Sequence, residues 1–389
     1  MFDINNKKKI IFIVTSNLIL ISVLFSYDLL NYYPIYPTEL FEDWLYIYDY
    51  KDCKFSIILN QNQCSKIITN NFVYPEIWLN LANFFENRLN FSNIIYPIIL
   101  IHVLITSLYL SKFPTFVNFI FTLSPVSILL IHRANNDLII FFLIFIFNFL
   151  IISNKFKFFS IIPLIIAIKA KIYPLSLIPV FILIYKNSKK VNFFLYLLFI
   201  LFFTILLIYY SELFKFTNFY NKSGATLSFS SSLIFKIFSF LTSINVNYNL
   251  FSICILIFLI FISIFSKKNI PLNNFKIEIS FLIGSSIIVS SFFLNEGFVY
   301  KLIFLIFTLP LIFEYKNKGY NKLHSYLLII SFSALWVEYL SFWVENILNI
   351  NNFHPKLFPG LNFNNIVYGI SIIFKNIIYW ILNLNLIFI

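Results

Sequence analysis

The chain has 389 residues, 60% hydrophobic and only 11% charged, with 28 Lys and Arg against 16 Asp and Glu for a net charge of +12. Soluble domains carry roughly 25% charged residues, so a soluble globular fold is excluded, as are function classes that need a large polar surface. The lysines sit in short clusters between apolar runs and not on one basic face, which argues against a nucleic-acid partner and fits the positive-inside rule.

Apolar runs near the ~20 residues that cross a bilayer recur along the whole sequence. The expected fold class is an all-α, polytopic integral membrane protein, a single transmembrane domain over 1–389. A transmembrane β-barrel would need alternating polarity and frequent turns, whereas these runs are continuous and glycine is scarce. Abundant Phe, Ile, Asn and Lys beside rare Ala, Gly, Met and Arg fit an AT-rich genome, so the two arginines, Arg88 and Arg133, carry weight against that drift.

In chain order, Lys7, Lys8 and Lys9 precede a first run at 10–27, which places the N-terminus in the cytoplasm and reads as a retained anchor. Further spans are expected at 94–111, 113–131, 137–153, 158–170, 174–186, 191–210, 249–266, 276–294, 300–315, 323–347 and 364–386. Alternation then puts Lys112, Lys155/Lys157, Lys186/Lys189/Lys190, Lys267/Lys268 and Lys316/Lys318/Lys322 all inside. Spans 158–170 and 174–186 are short and flank Pro174, which suits a broken or re-entrant pair, so about 10–12 transmembrane helices are expected. Residues 228–245 repeat apolar positions at helical spacing and read as an amphipathic helix on the outer surface.

The first outer loop, 28–93, gathers Asp28, Glu39, Glu42, Asp43, Asp49 and Asp52 in an otherwise apolar chain. Acidic groups beside a bilayer are costly, so the cluster invites a chemical explanation. Asp43 lies between aromatics, in Phe41-Glu42-Asp43-Trp44-Leu45-Tyr46. It is either a partly desolvated general base or a solvated acid beside an interfacial aromatic belt. His132-Arg133-Ala134-Asn135-Asn136-Asp137 falls on the same outer side. There Arg133 suits a phosphate, while Asn135 and Asp137 either bond a ligand or cap a helix. Lys169 and Lys171 flank a helix break before Tyr173-Pro174 and either hold a lipid phosphate or snorkel. Tyr300-Lys301 forms a third outer cluster, either a phosphate-directed cation or an interfacial anchor. Glu338 sits within a span, where a carboxylate is a functional candidate or pairs with a lysine. Cys53 and Cys64 share the outer loop and suit a disulfide in an oxidising compartment, while no Cys/His pattern suggests a metal and no glycine-rich loop suggests a nucleotide.

Taken together, these clusters resemble the GT-C class of polytopic glycosyltransferases. Within it, the chain is most similar to the bacterial branch of polyprenyl-phosphate-mannose-dependent mannosyltransferases and arabinofuranosyltransferase-like proteins. The resemblance rests on five segments in order: Asp43-Trp44-Leu45-Tyr46; Asn71-Phe72-Val73-Tyr74-Pro75-Glu76-Ile77-Trp78; Arg133-Ala134-Asn135-Asn136-Asp137; Lys171-Ile172-Tyr173-Pro174; and Tyr300-Lys301-Leu302-Ile303-Phe304-Leu305. It covers roughly residues 1–320. Ala134 stands where glycine is usual, and Lys301 where arginine is common.

The resemblance implies an inverting hexosyl- or pentosyltransferase of the bacterial inner membrane. It implies a polyprenyl-phosphate sugar as donor, a lipid or glycan acceptor and surrounding membrane lipids; no cofactor is expected, and although the acidic loop could hold a divalent cation, nothing in its spacing demands one. It assigns Asp43 as the base and Arg133, Lys171 and Lys301 as phosphate contacts. Asn135, Asp137, Tyr173, Tyr300, Trp44 and Tyr74 complete the implied substrate site. A flippase or a polymerase for lipid-linked glycans is the rival reading. Transporters usually show paired halves with matching broken helices, and one break near Pro174 has no counterpart.

Overall fold

The computed structural model describes residues 4–26, 41–55, 76–85, 87–153, 156–171, 173–181, 228–231, 233, 248–265, 274–294, 297–347 and 363–389. The described chain is helical throughout, apart from one pair of two-residue strands. Four helical stretches are long and apolar enough to cross a membrane: Leu89–Leu110, Phe275–Phe293, Asn321–Leu340 and Val367–Phe388. A fifth span arises if the bent pair Thr115–Thr122 and Pro125–His132 is counted as one. The architecture is that of an α-helical membrane protein. The expected span 10–27 is helical as far as Ser26, and the remaining expected spans are shorter, are broken, or lie wholly or partly outside the described residues.

Helix α1 (Ile4–Ser26) follows the first apolar run. It is held by a reciprocal amide pair, in which Asn17 and Asn118 each donate to the other at 3.1 and 3.2 Å and Asn17 also donates to Ser107 at 2.7 Å. Loop 28–93 is largely helical where it is described. It contains α2 (Glu42–Phe55), α3 (Glu76–Asn83) and α4 (Arg88–Asn93), the last capped by Asn87 accepting from the Asn90 amide. Helix α5 (Ile95–Leu110) continues directly from α4 and supplies most of the stretch Leu89–Leu110.

Helices α6 (Thr115–Thr122) and α7 (Pro125–His132) meet at a 49° bend. Ser124 caps α7 by accepting from the Ser127 amide, and Pro125 occupies the first turn, where its missing N–H is no loss. After α8 (Asp137–Ile152) the chain makes a short 3-10 turn, Lys157–Ser160, and then α9 (Ile161–Ala170). The expected break near Pro174 is present: α9 stops at Ala170, Lys171 is extended, and a 3-10 turn covers Tyr173–Leu177. Span 191–210 and residues 182–186 lie outside the described residues.

The reading of 228–245 as an amphipathic helix needs correction at its start. Ser228–Phe229 is strand β1, paired antiparallel with β2, Gly297–Phe298, in the register Ser228 to Phe298. Phe229 is fully buried against Phe292 and Tyr379, so the apolar spacing there reflects packing into the protein and not a helix face. Nearly all of the rest of 228–245 lies outside the described residues.

Helices α10 (Tyr248–Phe265) and α11 (Phe275–Leu294) precede β2. The expected span 300–315 is divided: Val299–Phe307 is a nine-residue 3-10 helix, and α12 (Leu309–Asn317) follows it. Such long 3-10 runs are uncommon. The run packs on α11 at Gly284, where a β-carbon would lie 2.8 Å from the Phe304 carbonyl oxygen. Glycine therefore permits a backbone approach that any side chain would block. The long helices α13 (Asn321–Ile347) and α14 (Phe363–Phe388) pack against each other and close the bundle.

Candidate functional site

The site forms where the start of α2, the turn from α7 to α8, the extended Lys171 and the long 3-10 helix at Tyr300 meet. Arg133 caps the C-terminus of α7, and Ala134 turns the chain with φ of +45°, the left-handed region that glycine fills without strain. Alanine at this position therefore leaves the turn intact but strained. Asn135 then folds back, its side-chain carbonyl accepting from the Asp137 amide at 2.9 Å as α8 begins.

The start of α2 is fixed onto this turn through its backbone. The Phe41 amide donates to the His132 carbonyl at 2.8 Å and the Asp43 amide to the Arg133 carbonyl at 3.2 Å. Phe41 carries φ of +61°, a second strained residue at the junction. Trp44 anchors the helix behind it, stacked on Phe91 with centroids 4.7 Å apart and donating its indole N–H to the Phe91 carbonyl at 3.0 Å. Trp78 packs edge-on against Trp44 and donates to the Ala170 carbonyl at 2.9 Å, one residue before Lys171.

These supports bring seven of the expected residues into one hydrogen-bonded network. Arg133 grips Asp43 with two parallel bonds, Nε to Oδ2 at 3.0 Å and one terminal nitrogen to Oδ1 at 2.6 Å. Asn135 links the halves of the network, donating from Nδ2 to Asp43 Oδ2 at 2.6 Å and to the Tyr300 hydroxyl at 2.7 Å. Lys171 donates to Asn135 Oδ1 at 3.0 Å and to Asp137 Oδ1 at 2.6 Å, and the Tyr173 hydroxyl donates to the same Asp137 oxygen at 2.8 Å. Asp137 Oδ2 is buried and has no hydrogen-bond partner among the described residues.

Lys301 is the outlier. It is only 3% exposed, and its ammonium lies 5.1 Å from the Tyr173 ring centroid. No hydrogen bond or ion pair holds it among the described residues, although it is close enough to Asp137 and Lys171 to feel both charges. Among the described residues, three cations (Arg133, Lys171, Lys301) thus gather with two carboxylates (Asp43, Asp137), one positive charge in excess. An isolated buried ammonium is expensive unless an anion joins it.

Burial by itself pushes the Asp43 carboxyl up. The Arg133 charge, the hydrogen bonds from Arg133 and Asn135 and the Lys171 charge outweigh it and hold the group below its ordinary value. Asp43 is therefore ionised and able to receive a proton, but it is a weak base while Arg133 grips it.

Of the other expected residues, Trp44 falls outside the polar network and Tyr74 outside the described residues. Trp44 is 1% exposed and commits its ring to Phe91 and Trp78, so it supports the site and is not part of the polar cluster. Tyr74 lies outside the described residues, as does Asn71 of the same segment. Lys169 is exposed and takes no part in the network. Cys53, near the end of α2, is disulfide-bonded, while Cys254 is free; Cys64 lies outside the described residues. A cavity of about 20 Å³ lined by His102, Thr106, Ser127, Ile131 and Ile303 lies between α5, α6, α7 and the long 3-10 segment, and no member of the polar network lines it.

A second polar cluster joins α13 to α14. Glu338 pairs with Lys375 at 3.1 Å and accepts from the Tyr379 hydroxyl at 2.6 Å. Glu338 was legible as a mid-span carboxylate, but its partners were not singled out. The available signal was Lys375 standing inside an apolar run with Tyr379 one helical turn later.

Comparison with known proteins finds no matching family model, no similar curated protein and no similar solved structure.

Proposed function

We propose that the chain is an inverting glycosyltransferase that moves a hexose or pentose from a polyprenyl-phosphate sugar to a lipid or glycan acceptor, on the outer face of a bacterial inner membrane. The observation that carries this reading is the convergence of Asp43, Arg133, Asn135, Asp137, Lys171 and Tyr300 with a cation excess and an unmatched Lys301. One surplus positive charge suits a phosphodiester, which carries one negative charge. The loop disulfide at Cys53 supports an oxidising, extracytoplasmic setting for α2.

In this reading the acceptor hydroxyl gives its proton to Asp43, and its oxygen attacks the anomeric carbon from the face opposite the lipid phosphate. The bond between that carbon and the phosphate oxygen breaks, and its electron pair leaves with the phosphate. Arg133, Lys171 and Lys301 meet the growing negative charge, the electrostatic stabilisation that is usually the largest catalytic contribution. Asn135 and Tyr300 orient the carboxylate and the bound group.

The test is transfer of radiolabelled sugar from a set of polyprenyl-phosphate sugars by membranes expressing the chain, with Asp43→Asn as control. Transfer by wild type and its loss in the variant, with both proteins inserted and monodisperse, is the expected result. Equal transfer by both would remove Asp43 from the chemistry. Net movement of lipid between leaflets without any transfer would replace the enzyme by a flippase.

A further inference from the structure

We infer that Arg133 is a donor-operated latch: it masks Asp43 in the empty site, and the phosphate of an arriving polyprenyl-phosphate donor takes the guanidinium and unmasks the base, so the donor must be seated before the acceptor is activated. This rests on the glycosyltransferase reading above and adds to it a binding order and the group that enforces it.

The masking is geometric. Asp43 Oδ2 receives both Arg133 Nε and Asn135 Nδ2, which use its two lone pairs, and Oδ1 receives the second arm of the Arg133 fork at 2.6 Å. One lone pair remains on a side chain that is 6% exposed. An acceptor hydroxyl therefore has almost nothing to donate into while the fork is closed.

The main chain cannot open the pair. Phe41 and Asp43 are bonded through their amides to the carbonyls of His132 and Arg133, so the α2 start and the α7 end move together. Opening therefore falls to the Arg133 side chain. Rotation of that fork toward another anion leaves Asn135 in place on Asp43, so the carboxylate keeps its position and loses only its strongest partner.

The cluster also supplies the reason for the exchange. A phosphate offers the guanidinium the same planar pair of oxygens as a carboxylate does. It also brings a negative charge to a cluster in which the buried Lys301 has no hydrogen bond or ion pair among the described residues. Once Arg133 has turned to the phosphate, the influence that held the Asp43 carboxyl low is weakened, and its basicity rises toward what proton abstraction needs. Donor binding and base activation are thus one event.

The experiment uses the purified full chain in lipid nanodiscs and undecaprenyl phosphate, which carries the lipid and phosphate but no sugar to react. Binding is read by retention of the phosphorus-32-labelled lipid. The state of Asp43 is read by the rate at which a hydrophobic carbodiimide modifies it, located by peptide mass spectrometry. Modification is expected to accelerate by roughly tenfold or more when the lipid binds, since the ligand must shift a two-state equilibrium. The neutral alcohol undecaprenol should leave the rate unchanged. Arg133→Gln should show the fast rate without any lipid, although the wild-type comparison stands without that variant. Bound undecaprenyl phosphate with an unchanged Asp43 rate overturns the latch and leaves the glycosyltransferase reading standing. Equal acceleration by undecaprenol also overturns it, because the phosphate would not be the trigger. Failure of the phosphate lipid to bind overturns both.

Discussion

The two buried charge clusters differ in ways that separate chemistry from architecture. Glu338, Lys375 and Tyr379 join two regular helices, and one carboxylate balances one ammonium. The cluster at Asp43 joins irregular backbone and a long 3-10 helix: two left-handed residues at Phe41 and Ala134, an extended Lys171 and the segment at Tyr300. Among the described residues it also holds more cations than anions. Balanced charge on regular helices suits packing, whereas surplus charge on strained turns is what the proposed transferase reading calls for.

The sharpest way to press this comparison is Lys301→Gln. It should lower transfer by roughly a hundredfold, the loss typical of removing one stabilising contact to the leaving group, and leave thermal stability unchanged or raised because an unmatched buried charge disappears. A fall in stability in melting of the detergent-solubilised protein would show that Lys301 is structural after all.

The helix pair should respond in the opposite sense. Glu338→Leu removes the carboxylate that pairs with the buried Lys375 and is expected to cost about 3–5 kcal/mol. Adding Lys375→Met should recover most of that loss, and sugar transfer by the double variant should match wild type. Urea or thermal unfolding of the two variants measures the stability, and loss of transfer in a well-folded double variant would make the pair part of the working site.

Acid distinguishes the clusters more gently. The folded-state value for Asp43 lies below the ordinary carboxylate value, so its contribution to stability is fully present above about pH 4 and fades as pH falls through the lower folded value. Docking of α2, followed by protease access to the outer loop, should therefore persist when the pH is lowered to about 4. Release of α2 already near pH 6 would contradict the bidentate grip of Arg133.

The smallest expected effect is a gain. Ala134→Gly relieves a φ of +45°, partly offset by the greater freedom of glycine in the unfolded chain, for a net stabilisation of about 0.5–1 kcal/mol. A loss of stability would mean that the Ala134 methyl contributes more by its burial than its backbone costs.

Much of this site was legible because charged residues in an apolar chain are few and stand at the ends of apolar runs. Asp43, Arg133, Asn135, Asp137, Lys171, Tyr173 and Tyr300 could be placed on one side by counting spans, and they meet in one network. Their pairing was not legible: a composition argument can put Asp43 and Arg133 on one face, but it cannot see that two backbone bonds hold α2 against α7. Trp44 sits in a sugar-binding kind of context, yet its N–H finds the Phe91 carbonyl, a partner 47 positions away. The strand at Ser228–Phe229 was missed because two apolar positions at helical spacing look the same whether a helix or a partner strand buries them. The span at 300–315 hid its division for a similar reason, since hydropathy counts residues and is blind to pitch.

That pitch has a further consequence. Nine residues in a 3-10 helix extend about 4.5 Å further than the same residues in an α-helix, at roughly 2.0 against 1.5 Å per residue. Gly284, which lies flush against Phe304, Phe307 and Thr308, admits the slimmer coil and leaves no space for a methyl group. The glycine thus acts as a gauge of thread. It fixes how far along its axis the segment reaches, and so the depth in the membrane at which Tyr300 and Lys301 are presented.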